Sequence, residues 1–261
     1  MSINLLFIGD IFGICAAEML NEQLPQIRRD LDIQFCIANG ENSAGGKGIT
    51  PKEADLLFSA GVDVITLGNH YNSKKEYIYI FDDNKNIIMP ANYSDCMRGS
   101  ILLDMGRYTI GVINLSGKVF INRASCPFEA AERELQKLIP EADIIVIDVH
   151  AEATSEKKAL AWYLDGRVTA VIGTHTHTQT ADEMILPQGT AFITDVGMTG
   201  PRHSVLGMDP QTAVNRLLGK DQDSFIEAQG ELMLQGVLIT LDECSYKPMC
   251  IKRINYYGRN A

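Results

Sequence analysis

No two of the six cysteines, at positions 15, 36, 96, 126, 244 and 250, form a CxxC pair. That absence removes the sequence signature of a zinc knuckle or a redox dithiol. Several of the thiols sit in apolar runs such as QFCIAN, so they are expected to be reduced and mostly buried, as in a cytoplasmic protein. No apolar run approaches ~18 residues, so no membrane-spanning helix is expected. The start, MSINLLFIGD, has no basic leader and argues against a signal peptide. Basic residues are in deficit: 23 Lys and Arg face 33 Asp and Glu, a net charge of −10. This excludes a broad polyanion-binding face and disfavours long nucleic acid as a partner, but leaves room for a small phosphate-bearing substrate held locally by metal ions. Linkers rich in proline or serine, internal repeats and low-complexity tracts are also missing. With 261 residues, 46% of them hydrophobic, one domain over 1–261 is expected. Homo-oligomerisation stays open.

What is present is an alternation of strand-like and helix-like segments. INLLFIG, FCIAN, VDVITLG, DIIVIDV, VTAVIG, TAFITDV and GVLITLD read as strands. Between them lie a mainly apolar segment around 15–31, a helix opened by Thr50-Pro51-Lys52-Glu53 as a capping box, and a second such signature at Ser73-Lys74-Lys75-Glu76. A further helix starts at Pro127, with Phe128, Ala131, Leu135, Leu138 and Ile139 at helical spacing. Strands apolar on both faces, alternating with helices, predict buried sheet in an α/β protein.

The polar residues fall where these strands end. LLFIG ends at Asp10, FCIANG at Glu41-Asn42, VITLG at Asn69-His70, IIVIDV at His150, and AVIGT at His175 and His177. The chain has only five histidines, yet two stand in the Thr-rich loop of VIGTHTHTQTADE. Taken singly, each residue has a plainer reading: Asp10 as a turn residue, Asn42 and Asn69 as left-handed turn positions beside glycine, His150 as a core histidine. Together they gather carboxylate, amide and imidazole at the carboxyl rim of a sheet, where ligands of open α/β sheets bind. That donor set, without thiolate, suits Mn, Fe or Zn. NGENSAGGKG is not a P-loop, because Glu41 stands where the first glycine is required and Gly48 where Ser or Thr is. His203, in GPRHSVLG, reads as a loop or substrate-side residue.

The series GD, GEN, GNH, H, GTHTH resembles the calcineurin-like metallophosphoesterase pattern. LLFIGDIFG, NGENSAGGKGIT, TLGNH, DVHAEATSEK, GTHTHTQTAD and TDVGMTGP are similar, more narrowly, to the bacterial YmdB family within it. Phe12 stands where the wider superfamily carries a histidine, a difference the narrower group shares. Tyr71-Asn72-Ser73 departs from the more aromatic and acidic triplet expected there, which bears on the substrate lip.

The resemblance implies a four-layer αββα sandwich of two mixed sheets flanked by helices. It also implies two first-row metal ions per chain, Fe or Mn ahead of Zn. Asp10, Glu41, Asn42 and His177 would hold one; Glu41, Asn69, His150 and His175 would hold the other, with Glu41 bridging. Side chains 175 and 177 of an extended segment would point the same way. Two cations ~3.5–4 Å apart suit in-line displacement at phosphorus by a metal-bound hydroxide. His70, next to a ligand but outside the set, would act as general acid, and Gly197 and Gly200 would shape the substrate wall. The implied activity is a phosphodiesterase on cyclic nucleotides, 2′,3′-cyclic and also 3′,5′-cyclic. A phosphomonoesterase or nuclease on the same site, and a regulatory binding protein independent of catalysis, are the alternatives. A monoester would want more cations than the rim offers: Lys47, Arg202 and the Lys157-Lys158 pair.

Overall fold

The computed structural model describes residues 2–121, 123–220 and 225–257; the ends of the expected 1–261 domain, Met1 and 258–261, lie outside them. The chain first lays down β1 (Ser2–Ile8), β2 (Asp10–Ile11), β3 (Ile33–Asn39), β4 (Val64–Thr66) and β5 (Ile87–Ile88). It then builds a second sheet from β6 (Ser100–Asp104), β7 (Thr109–Ser116), β8 (Ile144–His150), β9 (Ala170–Thr174), β10 (Met184–Ile185) and β11 (Ala191–Ile193). It returns to the first sheet with β12 (Met198–Pro201), β13 (Leu232–Asp242) and β14 (Pro248–Tyr257). The orders are β2-β12-β13-β1-β3-β4-β5, with β14 on β13, and β10-β11-β9-β8-β7-β6. Both sheets are mixed: β1, β3, β4 and β5 run parallel with β13 antiparallel to β1, while β7, β8, β9 and β11 run parallel with β6 and β10 antiparallel at the edges.

Strand periodicity explains the layering. In β1, Leu5 and Phe7 face the other sheet and pack with Val146 and Ile172, whereas Leu6 and Ile8 turn outward. The outward face is covered by α1 (Gly13–Asp30), α2 (Pro51–Ala60) and α3 (Tyr77–Asp83). The outer face of the second sheet is covered by α4 (Pro127–Leu138) and α5 (Thr154–Leu164). A residue-by-residue alternation between two dry interfaces is why these strands read as unbroken apolar runs. The result is the expected αββα sandwich. A shorter helix, α6 (Pro210–Leu217), follows β12. Among the described residues, no helix is long and apolar enough to cross a membrane.

Local signals held unevenly. Glu53 accepts the Thr50 backbone N–H at 3.0 Å and its hydroxyl, capping α2 as its sequence predicts. The second capping-box signature does not cap: α3 begins at Tyr77, and the Ser73 N–H instead donates to the His70 carbonyl at 2.9 Å. Residues 68–73 are spent on a turn that presents Asn69 and His70, so they cannot also begin a helix. All six thiols are free, but only Cys36 is buried; Cys244 and Cys250 are exposed, against the mostly buried expectation. Their edge position around β13 and β14 leaves no layer above them.

Candidate metal centre

Beneath the carboxyl rim, the inward-facing stripe of each central strand changes character. In β8 it reads Ile144, Val146, Asp148, His150; in β3, Phe35, Ile37, Asn39; in β9, Ala170, Ile172, Thr174. Apolar contact thus gives way, at the same depth on both sheets, to buried polar groups. Glycines permit close approaches here, between the sheets at Gly68 and within the second sheet at Gly173. A Cβ on Gly68 would overlap His150 and Glu41, and one on Gly173 would overlap the Thr194 carbonyl.

His150, fully buried, is the hub. Its Nε2 lies 2.8 Å from Glu41 Oε1, 3.0 Å from Asn69 Oδ1 and 2.9 Å from His175 Nδ1. Glu41, His150 and His175 also form a group spaced to hold a metal ion. Of the remaining expected ligands, Asp10 and His177 lie alongside, and Asn42 follows Glu41 in the chain. Asp10 Oδ1 lies 3.8 Å from His177 Nε2 and 3.9 Å from His150 Nδ1. Asn42 donates through Nδ2 to the Gly46 carbonyl at 3.0 Å, which orients its Oδ1 away from that bond. Asp10 Oδ1 and Asn42 Oδ1 are both buried without a hydrogen-bond partner.

The hydrogen-bond network assigns each imidazole its tautomer. The Thr174 hydroxyl donates to Asp148 Oδ1 at 2.7 Å, so its oxygen accepts from His150 Nδ1–H at 2.9 Å and leaves Nε2 bare. His175 Nε2 faces Glu152 at 3.1 Å, leaving Nδ1 for the hub. His177 Nδ1 faces the Leu206 carbonyl at 3.3 Å, leaving Nε2 toward Asp10. Burial pushes the His150 imidazole well below its ordinary value, His175 down to about 3 and His177 down as well. Burial raises the carboxyls of Asp10 and Glu41, and for Asp10 the neighbouring carboxylates of Asp195 and Glu41 add to it. Neutral imidazoles, crowded carboxylates and converging lone pairs make a donor set that fits dications.

The histidine loop is not extended. His175 and His177 have left-handed φ values of 98° and 59°. Thr176 does turn aside, its N–H and hydroxyl donating to Asp195 Oδ2 at 3.0 and 2.7 Å. The His175 N–H donates to Asp10 Oδ2 at 3.0 Å. These bonds curl the loop, so both rings reach the centre by backbone curvature and not by strand alternation. Asp195 is in turn held by Lys157 Nζ at 2.8 Å in a wholly buried ion pair. Lys157 is therefore not a rim cation. Lys158 pairs with Asp182 at 3.3 Å and Arg202 with Glu231 at 2.8 Å.

His70 is half-buried; its N–H donates to Glu41 Oε2 at 2.8 Å, and its ring makes no hydrogen bond among the described residues. Burial lowers its imidazole, with the Glu41 carboxylate opposing. Phe12 packs edge-on to the His177 ring, centroids 5.9 Å apart, an aromatic wall where the wider superfamily has a histidine. Tyr71 is core, its hydroxyl on Asp95. His203 is exposed near Glu231, 3.6 Å away, and takes no part in the cluster. Residues the strand-end pattern passed over are Asn39, Asp148, Thr174, Glu152, Lys157 and Asp195. An acid inside the otherwise apolar IIVIDVH was the signal for Asp148.

Two helix-flanked mixed sheets with this cluster at their rim define a metallophosphoesterase of the calcineurin-like fold. A family model described as YmdB-like protein matches residues 6–254, and the chain belongs to that family. It is 44% identical to the 2′,3′-cyclic-nucleotide 2′-phosphodiesterase of Bacillus subtilis (strain 168), with 96% of each chain covered. Its fold is similar to that of a hypothetical protein from Thermus thermophilus, at 38% identity and TM-score 0.91 over 98% of this chain and 99% of that one. A novel phosphatase from Mycoplasma pneumoniae matches at 31% identity and TM-score 0.92, over 100% and 95%.

Proposed function

We propose that this phosphoric diester hydrolase opens cyclic nucleotides, 2′,3′-cyclic monophosphates foremost and 3′,5′-cyclic ones as well, at a two-metal centre within a single domain. The observation that carries the reading is the meeting of Glu41, Asn69 and His175 within 3.0 Å of His150 Nε2, beside the unpartnered oxygens of Asp10 and Asn42. Asp10, Glu41, Asn42 and His177 would hold one cation and Glu41, Asn69, His150 and His175 the other; the donor set suits Fe, Mn or Zn, and the family resemblance puts Fe or Mn first. Bound there, the cations supply charge for the phosphoryl oxygens and lower the pKa of a water.

The protein's own part is positional and protic. Glu41 would contribute to holding both cations, while its Oε2 fixes the backbone at His70. In hydrolysis a water gives up one proton to solvent, its oxygen joins phosphorus and one P–O ester bond breaks. The leaving ribose oxygen takes a proton from a protonated ring nitrogen of His70. A diester suits a rim where Lys158 and Arg202 are already engaged by carboxylates and Lys157 is buried in an ion pair.

The test is turnover of 2′,3′-cyclic AMP, 3′,5′-cyclic AMP, bis-p-nitrophenyl phosphate and p-nitrophenyl phosphate, under Mn²⁺ and under Fe²⁺. A monoester cleaved faster than every diester, with both metals, rejects the reading in favour of a phosphomonoesterase. Elemental analysis checks the ligand set: Glu41→Gln should deplete both metals and Asp10→Asn chiefly one. His70→Ala should keep its metal while turnover falls ~10²–10⁴-fold; loss of metal in that variant would make His70 a ligand.

A further inference from the structure

A cavity of about 530 Å³ opens onto the centre, lined by Asn69 and His175 together with Phe120, Ile121, Arg123 and Glu152. That size lies within the ~300–1,000 Å³ usual for small-molecule sites. Four of its lining residues are not expected metal ligands. Phe120 is 83% exposed and holds a left-handed φ of 65°. Both features are unfavourable for a phenylalanine with nothing to contact.

The backbone leading to Phe120 is nonetheless anchored. The Gly117 N–H donates to the carbonyl of His150 at 2.9 Å, tying the loop to the hub of the centre. The Glu156 carboxylate, in the first turn of α5, accepts the N–H of Lys118 at 2.9 and 3.1 Å and that of Val119 at 3.0 Å. The backbone that carries this bare aromatic ring is thus held beside the centre by three successive N–H groups. Arg123 makes no ion pair among the described residues; its Nη1 reaches the neutral Asn72 Oδ1 at 3.4 Å. An aromatic face and an unneutralised guanidinium in one cavity match the two parts of a nucleotide, base and phosphate.

We propose that Phe120 is the stacking platform for the substrate's base and that Arg123 contacts its phosphate, so that this loop selects nucleotides over other cyclic diesters. The inference rests on the phosphodiesterase reading above. Its test compares 2′,3′-cyclic AMP with glycerol 1,2-cyclic phosphate, which keeps the five-membered ring and has no base. In Phe120→Ala the ratio of kcat/KM for the nucleotide to that for the glycerol ester should drop about tenfold, mainly through KM, the weight of one stacked base. Phe120→Trp should restore the ratio, and Arg123→Gln should raise KM for both substrates. Calorimetric titration of adenosine 3′-monophosphate into metal-loaded enzyme should show about tenfold weaker binding in Phe120→Ala at equal metal content. An unchanged ratio together with unchanged calorimetric affinity overturns the role of Phe120. A wild-type enzyme that cleaves neither substrate overturns the phosphodiesterase reading instead, and the calorimetric comparison then decides Phe120 by itself.

Discussion

Asp148 is wholly buried, and desolvation pushes its carboxyl up to about 7 although Thr66, Thr174 and Asn39 all donate to it. Its place is explained by what it orients: through Thr174 it directs the His150 Nδ1–H and so leaves Nε2 bare, while Asn39 Oδ1 takes the Glu41 N–H at 3.2 Å. Asp148→Asn should therefore weaken metal affinity ~10- to 100-fold, as loss of an outer partner does, with the fold kept. Competitive chelator titration measures it; wild-type affinity would leave Thr174 alone as the orienting group. The residues of the cluster were readable at this scale because most of them are polar residues at or just after the end of an apolar run. Asp148 and Asn39 were not, because a polar residue inside a strand shows its partner only once the opposite sheet is in place.

At the scale of elements, the histidine loop depends on α5. Lys157 neutralises Asp195, and Asp195 in turn holds the N–H and hydroxyl of Thr176. Lys157→Met leaves a buried carboxylate unpaired and should cost ~3–5 kcal/mol, read from the denaturant midpoint at unchanged m. The double variant Lys157→Met, Asp195→Leu should recover part of that loss; no recovery would mean that the lysine stem, not its charge, is what matters. The outer helices are pinned differently. Glu132 of α4 bonds Arg167 at 2.6 Å and Tyr163 of α5 at 2.8 Å, which holds its carboxyl at about 2, below the ordinary 4.5. A depressed carboxyl stabilises above its unfolded value and loses that contribution as pH falls toward 2. The site is a third exposed, so Glu132→Gln should cost less than ~1 kcal/mol at pH 7 and nothing near pH 2. Equal deficits at both pH values, by thermal unfolding, would remove the charge from the explanation.

For the whole molecule, the centre joins both sheets: Asp10, Glu41, Asn42 and Asn69 follow strands of the first, whereas His150, His175 and His177 belong to or follow strands of the second. Metal bound there ties the two halves of the sandwich together and stabilises only the folded state. At free metal of ~1,000 Kd the gain is ~4 kcal/mol, on the order of 8–16 °C in Tm for a chain of this size. Differential scanning calorimetry with and without chelator checks this; a shift under ~2 °C would mean that the centre does not bridge the sheets energetically.

Composition and periodicity by themselves determined the α/β class, the buried strands and the residues at their carboxyl ends, because burial on both faces writes itself as uninterrupted apolar runs and a strand end as the first polar residue after one. Residue-level motifs, through a family resemblance, carried the layer order and the proposed division of ligands. Only the tertiary structure decided the curled backbone of His175 and His177, the imidazole tautomers, the turn that displaced the expected start of α3, and the fate of Lys157. These depend on partners brought from distant positions, 195 against 157 and 148 against 174 and 39. No local pattern of charge or spacing encodes which buried group will meet which.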